Sequence, residues 1–134
     1  MLQGLLIQFT EIHINMEIYQ PDIFPFNIAV MHAKELDSDK NVFTMEDGEK
    51  CKMPQGALGT VFRGYRGKIP YSIIVFSSVP SHEIIAHEAF HATCDLLEHI
   101  GIDYDRFGNN ETFAYTLQYI VRCINLTIEK ETWE

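Results

Sequence analysis

The hydrophobic pattern of this 134-residue chain changes period near residue 80, and that change restricts its architecture more than any other feature. Before residue 80, apolar residues alternate with polar ones or run in short β-branched and aromatic stretches. After it they recur three and four positions apart. The first pattern suits strands and the second suits amphipathic helices. The order of strands first and long helices second predicts an α+β domain.

Residues 11–18 place Ile12, Ile14, Met16 and Ile18 on one face and His13, Asn15 and Glu17 on the other, the pattern of one half-buried strand. Two prolines in 20–25 end it, and 26–32 (FNIAVMH) reads as a second strand. Residues 33–40 are polar enough for one or two turns of helix, and 42–46 for a short strand before a turn at Asp47-Gly48. Residues 58–63 and 71–77 form an expected antiparallel hairpin around Gly64-Tyr65-Arg66-Gly67, with YSIIVFS the best-buried strand. A helix then runs from Ser81 to Ile100. Ser81 is its cap, Glu83 favours the positive end of its dipole, and Gly101 is its stop. Asn109 or Asn110 caps a second helix, which holds Glu111 in its first turn and continues through Phe113, Leu117, Ile120, Val121 and Ile124. The polar connection at 102–108 is short, so the two helices pack as neighbours. The expected fold is α+β: a small antiparallel or mixed sheet within residues 5–77, then two packed helices, in a single domain spanning 1–134.

Composition removes several functions. Apolar residues make up 46% and charged residues 22%, which suits a soluble globular chain. No apolar run approaches the roughly 20 residues that cross a bilayer. The first residues lack a basic n-region, and their apolar stretch breaks at Gln8, Thr10 and Glu11, so no secretory signal is expected and the location reads as cytoplasmic. A net charge of −9 opposes binding to nucleic acid or anionic lipid, both of which need a cationic surface. Cys51, Cys94 and Cys123 are odd in number and lack CxxC spacing, which argues for reduced thiols rather than a disulfide framework or a thiolate metal site.

The chemistry concentrates in HEAFH, residues 87–91. On a helix His87 and His91 stand one turn apart on one face, and two such imidazoles can converge on one Zn2+. Glu88 projects beside the metal, where a general base for an attacking water belongs. A catalytic zinc takes a third protein ligand. Position 97 is Leu97, so the downstream histidine of the metzincin pattern is missing, and His99 falls two positions late on another face. Glu111, in Asn-Asn-Glu-Thr-Phe-Ala-Tyr at the head of the second helix, is the better candidate. A chance HExxH on a helix surface is the bland alternative. A di-iron bundle would need a second Glu-x-x-His pair, and the sequence has none.

HEAFH followed by NNETFAY, with nineteen residues between His91 and Glu111, resembles the gluzincin branch of the zincin metallopeptidases. The resemblance implies His87, His91 and Glu111 as zinc ligands and Glu88 as the base. It implies that a peptide or protein substrate is cut by zinc-activated water. YSIIVFS resembles the zincin edge strand, which implies that Ser72, Ile73, Ile74 and Val75 hold an extended substrate by backbone pairing. The wider pattern resembles small metallopeptidase-like proteins of bacteriophages and their bacterial hosts, implying a phage protein in the host cytoplasm. The chain departs from thermolysin-like enzymes four residues after Glu111. Where those enzymes carry an aspartate that supports a ligand histidine, it has Tyr115. Support then falls to Asp95, a backbone carbonyl or water, and the transition-state hydrogen bond to Tyr104, Tyr115 or His99. The competing reading is a non-catalytic zincin-like binding module whose structural zinc is closed by Asp95, His99 or Asp103. A peptidase-like domain that binds or cleaves one regulatory protein is a third.

Overall fold

The first stretch read as a single strand is two. In the computed structural model, which describes residues 9–13, 16–21, 26–38, 43–102, 110–130 and 133, β1 (Phe9–His13) and β2 (Met16–Tyr19) pair antiparallel with His13 opposite Met16. Alternation within one segment does not report that the chain reverses inside it, and the register sets Ile12 opposite Glu17 rather than in phase with Met16. β3 (Asn27–His32) pairs antiparallel with β2, and α1 (Ala33–Leu36) follows as a single turn. His32 ends β3 and caps α1, its Nδ1 accepting from the Lys34 amide at 3.0 Å. The expected strand at 42–46 reduces, among its described residues, to isolated bridges from Thr44 to Lys50 and Tyr65. The turn at Asp47-Gly48 is present, with Gly48 at φ 89°.

β4 (Gly59–Arg66) and β5 (Ile69–Phe76) form the expected antiparallel hairpin, but the turn sits at Gly67-Lys68, later than the glycine spacing suggested. Gly67 takes φ 66°, which a side chain would resist. β3 and β5 run parallel, so the sheet is mixed, with strand order β1-β2-β3-β5-β4. The fold is therefore α+β, as expected.

The sheet separates two apolar layers. Met16, Ile18, Ala29, Met31, Ile73 and Val75 face Leu36, Phe43 and Cys51 on one side. Tyr19, Ile28, Val30, Ile74 and Phe76 face the long helices on the other. α2 (His82–His99) buries Ile85, Ala89, Ala92, Leu96 and Leu97, three and four apart, against that second face. Each fully buried leucine there contributes about 2 kcal/mol, and Leu96→Ala is the single change most apt to loosen the layer. Ser81 caps α2, its Oγ accepting from the Ile84 amide at 3.3 Å. At the other end the Gly101 amide donates to Glu98 and the Ile102 amide to Leu97, with Gly101 at φ 83°, a Schellman ending. α3 (Asn110–Lys130) packs on α2 and is tied to β2. The Thr127 hydroxyl donates to the Cys123 carbonyl at 2.9 Å, which leaves Tyr19 to donate to Thr127 at 2.7 Å.

Candidate metal centre and substrate groove

Because Ala89, Ala92 and Leu96 fix which side of α2 meets the sheet, the opposite phase of the helix puts His87 and His91 at the surface. Their rings meet edge to face with centroids 4.8 Å apart. Glu88 falls between the two phases. It is 7% exposed, turned in beneath β4, with its Oε2 4.0 Å from His87 Nε2. Gly59 makes that burial possible. A β-carbon there would stand 2.8 Å from Glu88 Cγ and 3.2 Å from its Oε2.

An open groove is lined by Gly59, Thr60 and Val61 of β4 and by His87, Glu88, His91 and Asp95 of α2. Asp95 lies one turn beyond His91. Arg63 reaches it from β4, with Nη2 3.1 Å from the Asp95 carbonyl oxygen and 3.7 Å from Oδ1. Partial burial raises the Asp95 carboxyl above its ordinary range, and Glu98 pushes it the same way; Arg63 and His91 pull it back down. Asp95 therefore lies close enough to His91 to feel its charge.

Glu111 is exposed in the first turn of α3. Two residues later Phe113 packs on Phe90, ring centroids 5.3 Å apart, and Phe90 in turn lies 6.4 Å from the His91 ring. The head of α3 thus abuts the α2 turn that carries His91. Among the described residues, however, no three His, Cys, Asp or Glu side chains gather into a metal-holding cluster. The structure joins His87, His91, Glu88 and Asp95 in one groove and leaves Glu111 outside that group. Tyr115, one turn after Glu111, is half-buried on α3. His99 turns away from the groove, edge-on to Phe26 at 5.2 Å. Tyr104 and Asp103 lie outside the described residues.

The edge-strand expectation is corrected. Ser72, Ile73, Ile74 and Val75 belong to β5, which pairs with β3 on one side and β4 on the other, so its backbone offers nothing to a substrate. The physical signal was available: a continuous apolar run suits a strand buried on both faces, which is an interior strand. The edge is β4. Tyr65 exchanges both of its backbone bonds with Thr44, on the side away from β5. In an antiparallel ladder alternate residues share that orientation, so Arg63, Val61 and Gly59 also aim their N–H and C=O outward. Sequence reasoning missed Gly59 and Arg63. The half-exposed, glycine-containing character of β4 was the clue to an edge.

Burial also raises the thiols of Cys51 and Cys94 and pushes Cys123 up to about 12. All three cysteines are free, as the sequence suggested. No helix among the described residues is long and apolar enough to cross a membrane. No protein-family model matches the chain, and comparison with curated proteins and with solved structures yields no match to either.

Proposed function

We propose that the protein is a zinc-dependent hydrolase of the zincin type that cuts a peptide bond. The observation that carries the reading is the pairing of two exposed imidazoles one helical turn apart with a buried glutamate between them, all facing the free edge of β4. Two adjacent imidazoles open to one groove suit a Zn2+ ion. His87 and His91 would hold it, with Glu111 at the head of α3 as the third ligand. Bound zinc supplies Lewis-acid polarisation of the scissile carbonyl and acidifies a water.

The chain's own residues do the rest. An extended peptide pairs with the outward N–H and C=O groups of Gly59, Val61 and Arg63, which sets its carbonyl beside the histidine pair. Glu88 takes the proton of the attacking water and delivers it to the leaving amine. Asp95, one turn beyond His91 and reached by Arg63, would support the His91 imidazole.

The test is incubation of zinc-loaded, tag-free protein with a mixed peptide library, read by mass spectrometry, beside the same protein stripped with chelator. Metal-dependent cleavage at defined bonds is the expected result. Identical peptide spectra in both arms, at full zinc occupancy, would leave a zinc-holding binding module as the better reading.

A further inference from the structure

The outer edge of β4 has two unlike ends. Past Gly59 the groove of the histidines carries on beside Leu58, which is 60% exposed, and over Glu83 and Ile84 of α2. At the far end the space beside the strand is already filled. Thr44 pairs with Tyr65 there through two backbone bonds of 2.8 Å each, and Lys50 pairs with Thr44 in turn. Gly64 lets this segment seat closely: a β-carbon on it would stand 2.8 Å from the Thr44 carbonyl oxygen. A strand added beside 59–63 therefore has to stop at Arg63. The groove along that stretch is charged one way. Glu83, Glu88 and Asp95 line it with the two histidines, and among its described lining residues there is no lysine or arginine. Asp95 stands at the closed end. Among the described residues no hydrogen bond reaches its carboxylate, because Arg63 donates to its backbone carbonyl and stays 3.7 Å from Oδ1.

We propose that the groove takes the free amino end of a polypeptide, so that the protein trims short peptides from amino termini instead of cutting within chains. The trimming rests on the hydrolase reading; the capture of an amino end does not. The segment at Thr44 runs antiparallel to β4, and a substrate of the same sense follows it in line, its first residue against the stop. Its ammonium group then meets the Asp95 carboxylate in a charge-assisted hydrogen bond. The reverse sense would press a carboxylate on Asp95 in a groove that no lysine or arginine lines. Gly59, at the other end of the stretch, lies over Glu88. At about 3.3 Å per residue, the span from Arg63 back to Gly59 holds about five substrate residues, so the cut falls within about five residues of the amino end. Water added across that bond leaves a carboxyl group on the released peptide and a new free amine on the remainder, which is again a substrate.

The experiment needs neither metal nor turnover. The metal-free full chain is mixed with random decapeptides whose carboxyl ends are amidated and whose amino ends are free or acetylated in equal amounts. Peptides retained with the protein on ultrafiltration are counted by mass spectrometry. Expected is roughly tenfold enrichment of the free amino ends, the worth of one hydrogen bond to a charged group. The enrichment should vanish in Asp95→Asn. Equal retention of both forms overturns the proposal, as does retention of neither, or an enrichment that survives in Asp95→Asn. So does better retention of a second pool with acetylated amino ends and free carboxyl ends, which would mean the reverse sense. Failure of the hydrolase reading shows elsewhere: zinc-loaded protein would leave all peptides intact, with the retention unchanged. Where cleavage occurs, cuts deeper than about five residues from the amino end overturn the trimming.

Discussion

Gly59 and Glu88 occupy the same space to within one methyl group: a β-carbon on Gly59 would lie 2.8 Å from Glu88 Cγ and 3.2 Å from the Phe76 ring. The glycine lets the edge strand press down on the glutamate and keeps its carboxylate under the groove rather than in bulk water. Gly59→Ala should therefore act on the base more than on the fold. Overpacking of this kind costs about 1–3 kcal/mol of stability, whereas displacing a catalytic group by about an ångström can cost a hundredfold in rate. Denaturation curves and peptide turnover on the same preparation separate the two. A variant with full turnover would show that Glu88 does not need its present position.

Replacing Glu88 itself with glutamine keeps shape and burial and removes only the proton acceptor. Zinc content should match the parent, while cleavage falls by about 10²–10⁴-fold, the usual worth of a positioned base. Retained cleavage would dismiss Glu88 as the base.

The metal set is read by elemental analysis. One zinc per chain is expected in the parent, none in His87→Ala or His91→Ala, and much weakened retention in Glu111→Ala. The last variant is the informative one, since Glu111 is not among the residues that line the groove. Undiminished affinity in Glu111→Ala would mean that a different side chain closes the set.

Asp95 gives a prediction with a sign in pH. Burial, then Glu98, raises its carboxyl in the folded protein against the opposing pull of Arg63 and His91. An acid raised above its unfolded value, about 3.9, favours folding while protonated; that contribution is lost as pH climbs from the unfolded value through the folded one. Metal-free Asp95→Asn should thus be more stable than the parent at neutral pH, and the difference should shrink towards pH 4. Its zinc affinity should drop meanwhile, because His91 loses its charged neighbour. A variant less stable than the parent at pH 7 would show that the Arg63 pair outweighs the cost of burying the charge.

The three thiols should separate by accessibility. Cys94 is half-buried, Cys51 is buried, and Cys123 is buried with its thiol raised to about 12. An aromatic disulfide reagent at pH 8 should label Cys94 first and reach Cys51 and Cys123 only on unfolding. Mapping of the labelled peptides checks the order. Early labelling of Cys123 would contradict the packing of α3 on α2.

What the sequence determined by itself is local. Ser81, Glu83 and Gly101 set the ends of α2, because caps and dipole preferences act within a turn. The apolar period set Leu96 and Leu97 inward and left His87 and His91 in solvent, but Phe90 and Ile100, as apolar as they are and expected in the core, are exposed. The α+β class followed from the change of period near residue 80. Strand partners were a different matter. Alternation in 11–18 hid a hairpin whose register sets Ile12 opposite Glu17 and His13 opposite Met16, and Glu17, expected on the open face, is fully buried; pairing joins residues apart along the chain and leaves no local trace. The continuous apolar run of β5 pointed to an interior strand and the glycines of β4 to an edge, but neither signal names the strand that lies alongside. The approach of Gly59 to Glu88, the reach of Arg63 to Asp95 and the stop that Thr44 makes beside Tyr65 exist only once those strands are ordered over α2. The helix carried the chemical motif in its own period; the tertiary structure decided which strand faces it.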